Sequence, residues 1–419
     1  MMCVATDSSS VTSDGNLAYD PQATIQRILH DHWRPFAAKF HQPKHAHRAA
    51  FLLAHCRTAL MGGHVERCEN GHVVKVHYNS CRHRCCPACS AAPRKSWLNK
   101  WQTKMLDTSA MQIVFTLPSE LSKLWKFNKQ LIANLLFNSA KDSLLTLLAD
   151  PQFLGAKPGL LAALHTWSQT LAAHPHVHFI VTFGGLASDG TWKTPKKECL
   201  LPRQVLMCMF RGKFLANLRK LVLSGKALLP EEWNLMKCLS LLNQLGRAPW
   251  NVKLLERYAH AKGVTLYLAR YLRGGPIGNR RIVSYANGDV TFQYLDRRNP
   301  SNPQTKEMTL SATDFLKQWA QHIPPATMHT VRAYGLYATG NRKKLEQARS
   351  LLASSAKTAQ ETVSEPEVPS EVEQKHRCPM CNASVVVEPL EFAEPVRAWN
   401  VHRARIKVRD RGPPSLQRV

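Results

Sequence analysis

The stretch that decides the fold is HPHVHFIVTF, which runs from His174 to Phe183. Its side chains alternate as they do in a β-strand, where successive residues point to opposite faces of a sheet. His176 and His178 therefore share one face, while Val177 points into the opposite packing layer. Two imidazoles spaced in this way lie a few ångströms apart and can bind one metal ion together.

A third metal ligand is expected from the neighbouring strand. Residues 161–170 have the pattern of a strand, and His165, Trp167 and Gln169 share one of its faces. His165 and Gln169 are therefore both candidates for the third ligand. A divalent ion held here, Mg²⁺ or Mn²⁺, polarises a phosphodiester and offsets the charge that builds up during phosphoryl transfer. An isolated histidine pair is more often structural, so the interpretation depends on what accompanies it.

Two tyrosines lie downstream, on a helix predicted at residues 263–273 and ended by Gly-Gly-Pro. Tyr267 and Tyr271 are about one helical turn apart, so their phenols share a face. A phenolate can attack phosphorus and retain the 5′ end of a DNA strand as a phosphotyrosine, which conserves the bond energy for rejoining. Arg270 and Arg273 flank the pair and can bind phosphates. Such a pair alone is more often a packing stripe, but downstream of the histidine strand the catalytic interpretation is favoured.

The chain of 419 residues is strongly basic, with 56 Lys and Arg residues against 29 Asp and Glu residues and a formal charge of +27. This excess predicts a polyanionic partner, most commonly nucleic acid. The N-terminal residues lack the basic-then-apolar profile of a signal peptide. No uncharged apolar run reaches the roughly 18 residues of a membrane helix. We therefore expect a cytoplasmic protein without a membrane partner.

The twelve cysteines cluster along the chain, which favours zinc ligands in a reducing compartment over a disulfide framework or a redox role. The pairs Cys68-x3-His72 and Cys86-x2-Cys89 can supply the four ligands of one tetrahedral structural zinc site. A zinc knuckle is therefore predicted in this region.

Other residues near the knuckle are alternative zinc ligands or candidate DNA contacts. Cys81 and His83 compete for a place in the site, whereas Cys85, next to the Cys86 ligand, is expected not to bind metal. Folding of the knuckle would present basic side chains to DNA phosphates. These side chains are Arg82, Arg84, Arg94 and Lys95.

Six stretches of the chain, taken in order, resemble the rolling-circle insertion-sequence transposases of the IS91 type, including those of the related common-region elements. These proteins belong to the HUH (His-hydrophobic-His) endonuclease superfamily. The stretches cover roughly residues 20–381. They are Asn79–Cys89 (NSCRHRCCPAC), Phe115–Pro118 (FTLP), Leu164–Gln169 (LHTWSQ), His174–His178 (HPHVH), Tyr267–Tyr271 (YLARY) and Val331–Gly335 (VRAYG).

The resemblance implies an α+β fold, in which a ferredoxin-like antiparallel sheet with helices, the HUH endonuclease palm, follows a small helical and zinc-knuckle N-terminal domain. It also implies a catalytic metal ion held by His176 and His178, with the third ligand on the adjacent strand. Tyr267 and Tyr271 would be the nucleophiles, although some family members retain only one of them.

The resemblance also indicates which cysteines are candidate zinc ligands. Many family members carry CxxC where this chain has Cys68–His72, which makes Cys81 the competing fourth ligand. The final pair, Cys378–Cys381, is half of a metal site. Either His376 and His402 complete it, or it is a decayed remnant.

The expected organisation has five segments: a disordered start at 1–20, a helical and zinc-binding domain at 21–105, the HUH catalytic domain at 106–353, a linker at 354–375, and the CxxC half-site with a basic tail at 376–419. The last segments are marked by a Ser/Thr/Glu/Pro-rich composition followed by an arginine-rich one. Further predicted elements are a strand at 111–117, helices at 128–149, 203–223, 230–244, 312–322 and 341–353, a strand at 175–183, and a hairpin at 280–296 with Asn287-Gly288 as its turn.

The function expected from these motifs is transposition of a rolling-circle insertion sequence. One tyrosine would cut single-stranded DNA at an element end and leave a 3′-OH that primes replication, and strand transfer to target DNA would follow. A plasmid or phage replication initiator, or a relaxase, is an alternative that the cysteine-rich N-terminal segment disfavours. A non-catalytic zinc-knuckle DNA-binding regulator is a further alternative, but it would need neither the histidine nor the tyrosine motif.

Overall fold

The structure is a computed structural model that describes residues 24–195, 200–259, 275–299, 301–357 and 377–389. The described helices are α1 (Ile25–Lys39), α2 (Lys44–Ala54), α3 (Ala91–Lys104), α4 (Ser122–Phe127), α5 (Lys129–Ala149), α6 (Arg203–Leu223), α7 (Leu235–Arg247), α8 (Ala312–Ala320) and α9 (Arg342–Lys357). The described strands are β1 (Gly63–Cys68), β2 (Val73–Tyr78), β3 (Ala110–Thr116), β4 (Lys157–Trp167), β5 (Ala173–Leu186), β6 (Trp192–Lys193), β7 (Val252–Tyr258), β8 (Ile282–Ala286), β9 (Asp289–Asp296), β10 (Gln304–Ser311), β11 (Val331–Gly335) and β12 (Val385–Pro389). Among these helices, none combines the length and the apolar character needed to span a bilayer.

The central sheet is antiparallel and has the order β11-β4-β5-β3-β7, with the short β6 beside β5. The succession β3-α5-β4-β5-α6-β7 is a βαββαβ unit whose four strands lie in the order β4-β5-β3-β7, which is the ferredoxin-like arrangement. The expected α+β class, with antiparallel sheets and helices after a cysteine-rich N-terminal domain, is confirmed.

The two faces of this sheet are buried by different helices. Val177 and Phe179 of β5 belong to the core shared with α5 and α6. Ile180 belongs to the core on the other face, where Leu345 of α9 covers the sheet. Because both faces are covered, β3 and β4 have almost continuous apolar sequences instead of alternating ones. Because side chains alternate between the two faces along a strand, His178 lies on the same face of the sheet as Ile180.

The long helices α5 and α6 follow the pattern of a buried helical face. In α5, Ile132, Leu136 and Ala140 recur at four-residue spacing and are fully buried. In α6, Phe210 and Phe214 do the same, and both rings contact the buried Trp250 that precedes β7. The buried residues of both helices belong to one core cluster with Val177 and Phe179 of the sheet.

The N-terminal helices do not share the core of the central sheet. They pack instead on the β8-β9-β10 sheet and on α8, with Ile28 of α1 and Phe292 of β9 in one buried cluster. The rings of Trp33 and Trp319 are 6.1 Å apart across this junction. β8, β9 and α8 lie within the segment expected to be the HUH catalytic domain, residues 106–353, and they pack here on the N-terminal helices.

The predicted hairpin is present as β8 and β9. Asn287 and Gly288 form its turn with φ values of 53° and 81°, as a two-residue turn of this type requires. The third strand of this sheet, β10, was not predicted. A further three-stranded sheet, β12-β1-β2, joins the cysteine-rich region to residues near the C-terminal end, which was also not predicted.

Candidate metal centre and cysteine clusters

Three histidines meet on the central sheet. β4 and β5 are antiparallel neighbours, and the register places His165 directly opposite His176. His178 is two residues further along β5, so its side chain lies on the same face. The metal-binding nitrogens of His165, His176 and His178 all lie within 4.8 Å of one another, and the ring centroids of His165 and His178 are 4.4 Å apart. We refer to these residues as the three-histidine cluster.

The burial of this cluster keeps the imidazoles neutral. Burial lowers the pKa of His176 to about 4. It also lowers the pKa of His178 to about 3, and the neighbouring His176 adds to this effect. The pKa of His165 is lowered well below its ordinary value, first by burial and then by the two other imidazoles. A neutral imidazole is the form that binds metal, so the cluster is ready to do so at neutral pH.

Two neighbouring groups orient the ligands. Nδ1 of His176 donates to the carbonyl oxygen of His174 at 2.6 Å, which leaves the Nε2 lone pair for a metal ion. The side-chain amide of Gln112 lies 2.7 Å from Nδ1 of His178. The nearer amide atom is the nitrogen, and a 180° rotation of the amide would instead place its oxygen there, where it would accept the Nδ1 proton and leave the Nε2 lone pair of His178 for a metal ion. Gln112 is fully buried on β3, next to β5.

Gln169, the other candidate for the third ligand, lies outside the strand. β4 ends at Trp167, and Gln169 is an exposed residue of the β4–β5 turn. Its carbonyl oxygen accepts a hydrogen bond from Arg281. His165, by contrast, is 3% exposed and stacks on the ring of Trp167.

The predicted nucleophiles Tyr267 and Tyr271 lie outside the described residues, together with Arg270 and Arg273. The structure describes the residues that come directly before and after this segment. Before the segment, Tyr258 at the end of β7 pairs with Ala110 of β3. After it, Gly275 packs so closely on the zinc-binding region that an added Cβ would lie 2.6 Å from the carbonyl oxygen of Cys85.

The cysteines form two separate clusters. In the first, the sulfurs of Cys56, Cys81, Cys86 and Cys89 lie within 4.8 Å of one another, and those of Cys81 and Cys89 are 3.6 Å apart. Hydrogen bonds among the thiols, the largest from Cys81, lower the pKa of Cys56 to about 7. Four convergent cysteines are a typical structural zinc site. We call this set the four-cysteine cluster.

The second cluster consists of Cys68, His72, Cys378 and Cys381, whose ligand atoms also lie within 4.8 Å of one another. The expected site, with its ligands among Cys68, His72, Cys81, Cys86 and Cys89, is therefore divided between two clusters. The reason is long-range packing: β12 pairs with β1 and brings the C-terminal CxxC to the β1–β2 turn.

Other predicted residues of this region have roles in packing or lie at the surface. Cys85 is buried outside both clusters, in line with its expected status as a non-ligand. His83 accepts a hydrogen bond from the backbone N–H of Cys85 at 3.2 Å, and burial lowers its pKa to about 4. The candidates His376 and His402 lie outside the described residues.

The four predicted DNA contacts differ in exposure. Arg82 and Lys95 are exposed. Arg84 is instead engaged within the protein, because its guanidinium donates to the carbonyl oxygens of Pro324, Pro325 and Met328 at 3.2, 2.6 and 2.8 Å. Arg94 donates to Ser90 one turn earlier in the chain.

Sequence reasoning missed several of these residues. Cys56 follows an apolar helix 25 residues before Cys81, and only the tertiary structure joins it to the cluster. Gln112 could have been identified from the sequence as a candidate polar residue of the site, because it is the one amide side chain within the apolar strand sequence Met111–Leu117. The partnership of Cys68 with Cys378 had no local signal.

Known proteins match this chain over both regions. The family described as "Transposase zinc-binding domain" matches residues 28–117, and the family described as "Putative transposase" matches residues 159–345. "Putative transposase y4qJ" of Sinorhizobium fredii (strain NBRC 101917 / NGR234) is 35% identical over 364 residues, which are 82% of this chain and 90% of that protein. "Transposase for insertion sequence element IS801" of Pseudomonas savastanoi pv. phaseolicola is 31% identical over 290 residues, 68% of each chain. No solved structure matches. The chain belongs to the IS91-type family of insertion-sequence transposases.

Proposed function

We propose that this transposase cuts and rejoins single DNA strands through 5′-phosphotyrosine intermediates, as required for rolling-circle transposition of an insertion sequence. The observation that carries the proposal is the three-histidine cluster, which is formed by adjacent strands of a ferredoxin-like sheet. The match to the transposase family, residues 159–345, spans these histidines and both tyrosines.

The donor set fits a catalytic divalent ion. His165, His176 and His178 would hold it as neutral ligands, and three protein ligands leave coordination positions open for phosphate oxygens. When bound, Mg²⁺ or Mn²⁺ would polarise the scissile phosphate. Because the set contains nitrogen donors and no carboxylate, we expect Mn²⁺ to support cleavage at lower concentrations than Mg²⁺, which prefers oxygen ligands.

The covalent step belongs to the tyrosines. The phenolate oxygen of Tyr267 or Tyr271 attacks phosphorus, the bond from phosphorus to the 3′ oxygen breaks, and the 3′ oxygen takes up a proton. The 5′ end stays on the protein as a phosphotyrosine. A 3′-OH, from the same or another strand, then attacks this phosphotyrosine and regenerates the tyrosine. A second tyrosine permits a second cut while the first adduct persists.

A basic cleft in the N-terminal domain suits the DNA strand. It has a volume of about 1320 Å³ and opens between α1, α2 and the loop after β2. No acidic side chain is present among the described residues of its wall. Bases can stack on its aromatic rings while its cations bind phosphates, and DNA affinity should fall steeply with salt. The residues concerned are Trp33, Arg34, Lys44, Arg48, Phe51 and Arg82.

The decisive test is covalent capture of single-stranded DNA. The protein is incubated with Mn²⁺ and a labelled oligonucleotide spanning an element end, and adducts are separated on a denaturing gel and mapped by peptide mass. We expect the adduct at Tyr267 or Tyr271, and its loss when both become phenylalanine. Tyr294→Phe, on strand β9, is the matched control and should retain it. An adduct that persisted in the double variant would refute the assignment of the nucleophiles.

Histidine variants test whether the three-histidine cluster is required for cleavage. His176→Ala should lose cleavage and keep DNA binding, because none of the three histidines is among the residues that line the basic cleft. His329→Ala changes an exposed histidine and should retain both activities. If the wild-type protein bound element ends tightly but gave no adduct with any divalent ion, the chain would act as a DNA-binding protein without cleavage.

A further inference from the structure

The second cysteine cluster has the dimensions of a zinc site. The sulfur of Cys68 is 3.4 Å from Nδ1 of His72 and 3.6 Å from the sulfur of Cys381. The sulfur of Cys378 is 3.9 Å from the same Nδ1. Around a tetrahedral zinc ion, with bonds of about 2.3 Å to sulfur and about 2.0 Å to nitrogen, ligand atoms are separated by roughly 3.5 to 3.8 Å. The observed separations match this geometry.

Each half of the cluster is a tight turn. In the β1–β2 turn, the backbone N–H of Cys68 donates to the carbonyl oxygen of His72 at 3.0 Å, and Gly71 adopts a φ of +79°. In the C-terminal turn, the N–H of Cys378 donates to Ala383 at 3.0 Å, and that of Asn382 donates back to Cys378 at 2.8 Å. Both turns therefore orient their ligand pairs through backbone hydrogen bonds.

The C-terminal strand has few other contacts to hold it. β12 pairs with β1 over five residues. Its Val386 and Val387 are 52% and 60% exposed, so little apolar surface is buried. One ion pair, between Arg67 and Glu388 at 3.5 Å, crosses the two strands, and exposed ion pairs of this kind contribute little. A strand with so little packing needs an additional constraint, which metal ligands can supply.

We infer that Cys68, His72, Cys378 and Cys381 form a second structural zinc site, which fastens β12 to the N-terminal hairpin. The site is distinct from the four-cysteine cluster. It combines two ligands from the β1–β2 turn with two from the last described segment, residues 377–389. Cys378 and Cys381 lie beyond residue 345, where the match to the transposase family ends. The inference does not depend on the proposed cleavage chemistry.

The first test counts zinc in the full-length protein. Zinc per chain is measured by mass spectrometry of the metal after gel filtration, for the wild type and for Cys378→Ser/Cys381→Ser. The double variant should contain one zinc ion fewer per chain. Cys208→Ser changes an exposed cysteine outside both clusters and should leave the count unchanged. An unchanged count in the double variant would overturn the inference.

A second pair of variants separates zinc binding from folding. His72→Cys keeps a zinc ligand at this position and should retain the wild-type count, whereas His72→Ala should lower the affinity for this zinc ion by at least tenfold. Equal affinities in His72→Ala and the wild type would contradict the role of His72. Thiol alkylation of the denatured protein gives an independent check, because a disulfide among these cysteines would leave fewer than the expected free thiols and would also contradict the inference.

A third measurement asks whether zinc holds the strand in place. A protease site is introduced between residues 357 and 377, and the cleaved protein is passed over a gel-filtration column. With zinc, the fragment containing Cys378 should elute with the remainder of the protein, and in Cys378→Ser/Cys381→Ser it should elute separately. Separation of the fragment from the zinc-loaded wild type would contradict the inference even if the double variant failed to fold.

Discussion

Gln112 illustrates how one buried residue can set the properties of a metal centre. It lies on β3 with its amide 2.7 Å from Nδ1 of His178. We predict that Gln112→Leu weakens Mn²⁺ binding by about 10- to 100-fold, because His178 loses the partner that fixes its orientation and tautomer. Calorimetric titration of the metal measures the effect. Gln130→Leu, on helix α5, is the control, and similar losses in both variants would show that Gln112 has no special role.

Gly335 ends the VRAYG stretch in a conformation that other residues avoid. Its φ is +59°, and an added Cβ would collide with the carbonyl oxygen of Pro158. Gly335→Ala should therefore lower the free energy of unfolding by about 2 kcal/mol or more. Gly212→Ala, within helix α6, meets no atom within 4 Å and should be neutral or stabilising by about 0.5 to 1 kcal/mol. Urea denaturation of both variants distinguishes them, and equal stabilities would contradict the strain argument.

At the scale of elements, the loop after β2 determines which cysteines can share a metal ion. Cys85 and Cys86 are adjacent and both buried, yet only Cys86 points into the four-cysteine cluster. We predict that Cys86→Ser loses one zinc ion per chain and that Cys85→Ser retains the wild-type zinc content. Metal analysis of the purified variants is the measurement. Loss of zinc from a folded Cys85→Ser protein would show that the ligand set is different.

Several elements encoded by local pattern were predicted from the sequence, whereas elements defined by distant pairing were not. The strand with His176 and His178 and the hairpin turn at Asn287 are local, because alternation and a positive φ are properties of a few consecutive residues. The pairing of β12 with β1 depends on residues more than 300 positions apart, and no local pattern indicates it. The same holds for Cys56, which joins its partners because α2 packs in one buried cluster with the loop that contains Cys86 and Cys89.

The ligands of the candidate metal site could also be predicted only in part from the sequence. The sequence placed His165 and Gln169 on one strand face and left both open as ligands. The structure ends β4 at Trp167, which leaves Gln169 in the turn. The end of a strand depends on the turn that follows, and the Leu171 φ of 63° that helps to close this turn has no signature in the residue type. The roles of Tyr267 and Tyr271 stay predictions, since the residues lie outside the described part of the chain.

At the scale of the whole molecule, a buried histidine couples stability to pH. His322 lies between the N-terminal and central cores, where its Nε2 donates to the carbonyl oxygen of Leu171 at 2.7 Å and its Nδ1 accepts from Thr166 at 3.1 Å. Burial lowers its pKa to about 4, against 6.5 for an ordinary histidine. Below pH 6.5 the unfolded chain therefore binds a proton that the folded protein does not, so stability falls as the pH decreases towards 4.

This dependence can be measured by urea denaturation at pH 7, 6 and 5. His322 contributes up to about 3 kcal/mol of the loss by pH 4, and the buried histidines of the three-histidine cluster add to it. In His322→Gln the slope of stability against pH should be smaller, whereas His329→Gln, at an exposed position, should follow the wild type. A slope unaffected by His322→Gln would contradict the assignment.

The pairing of β12 with β1 also sets the order in which the protein can be completed during synthesis. Cys381 follows Cys68 by 313 residues, so at translation rates of 5 to 20 residues per second the C-terminal strand emerges roughly 15 to 60 s after β1. During this interval the outer edge of β1 is an open template for pairing with other chains. A polypeptide translated from a copy of the gene interrupted before Cys378 would keep this open edge permanently. Assembly of the N-terminal sheet is thus coupled to translation of a strand that lies more than 300 residues further along the chain.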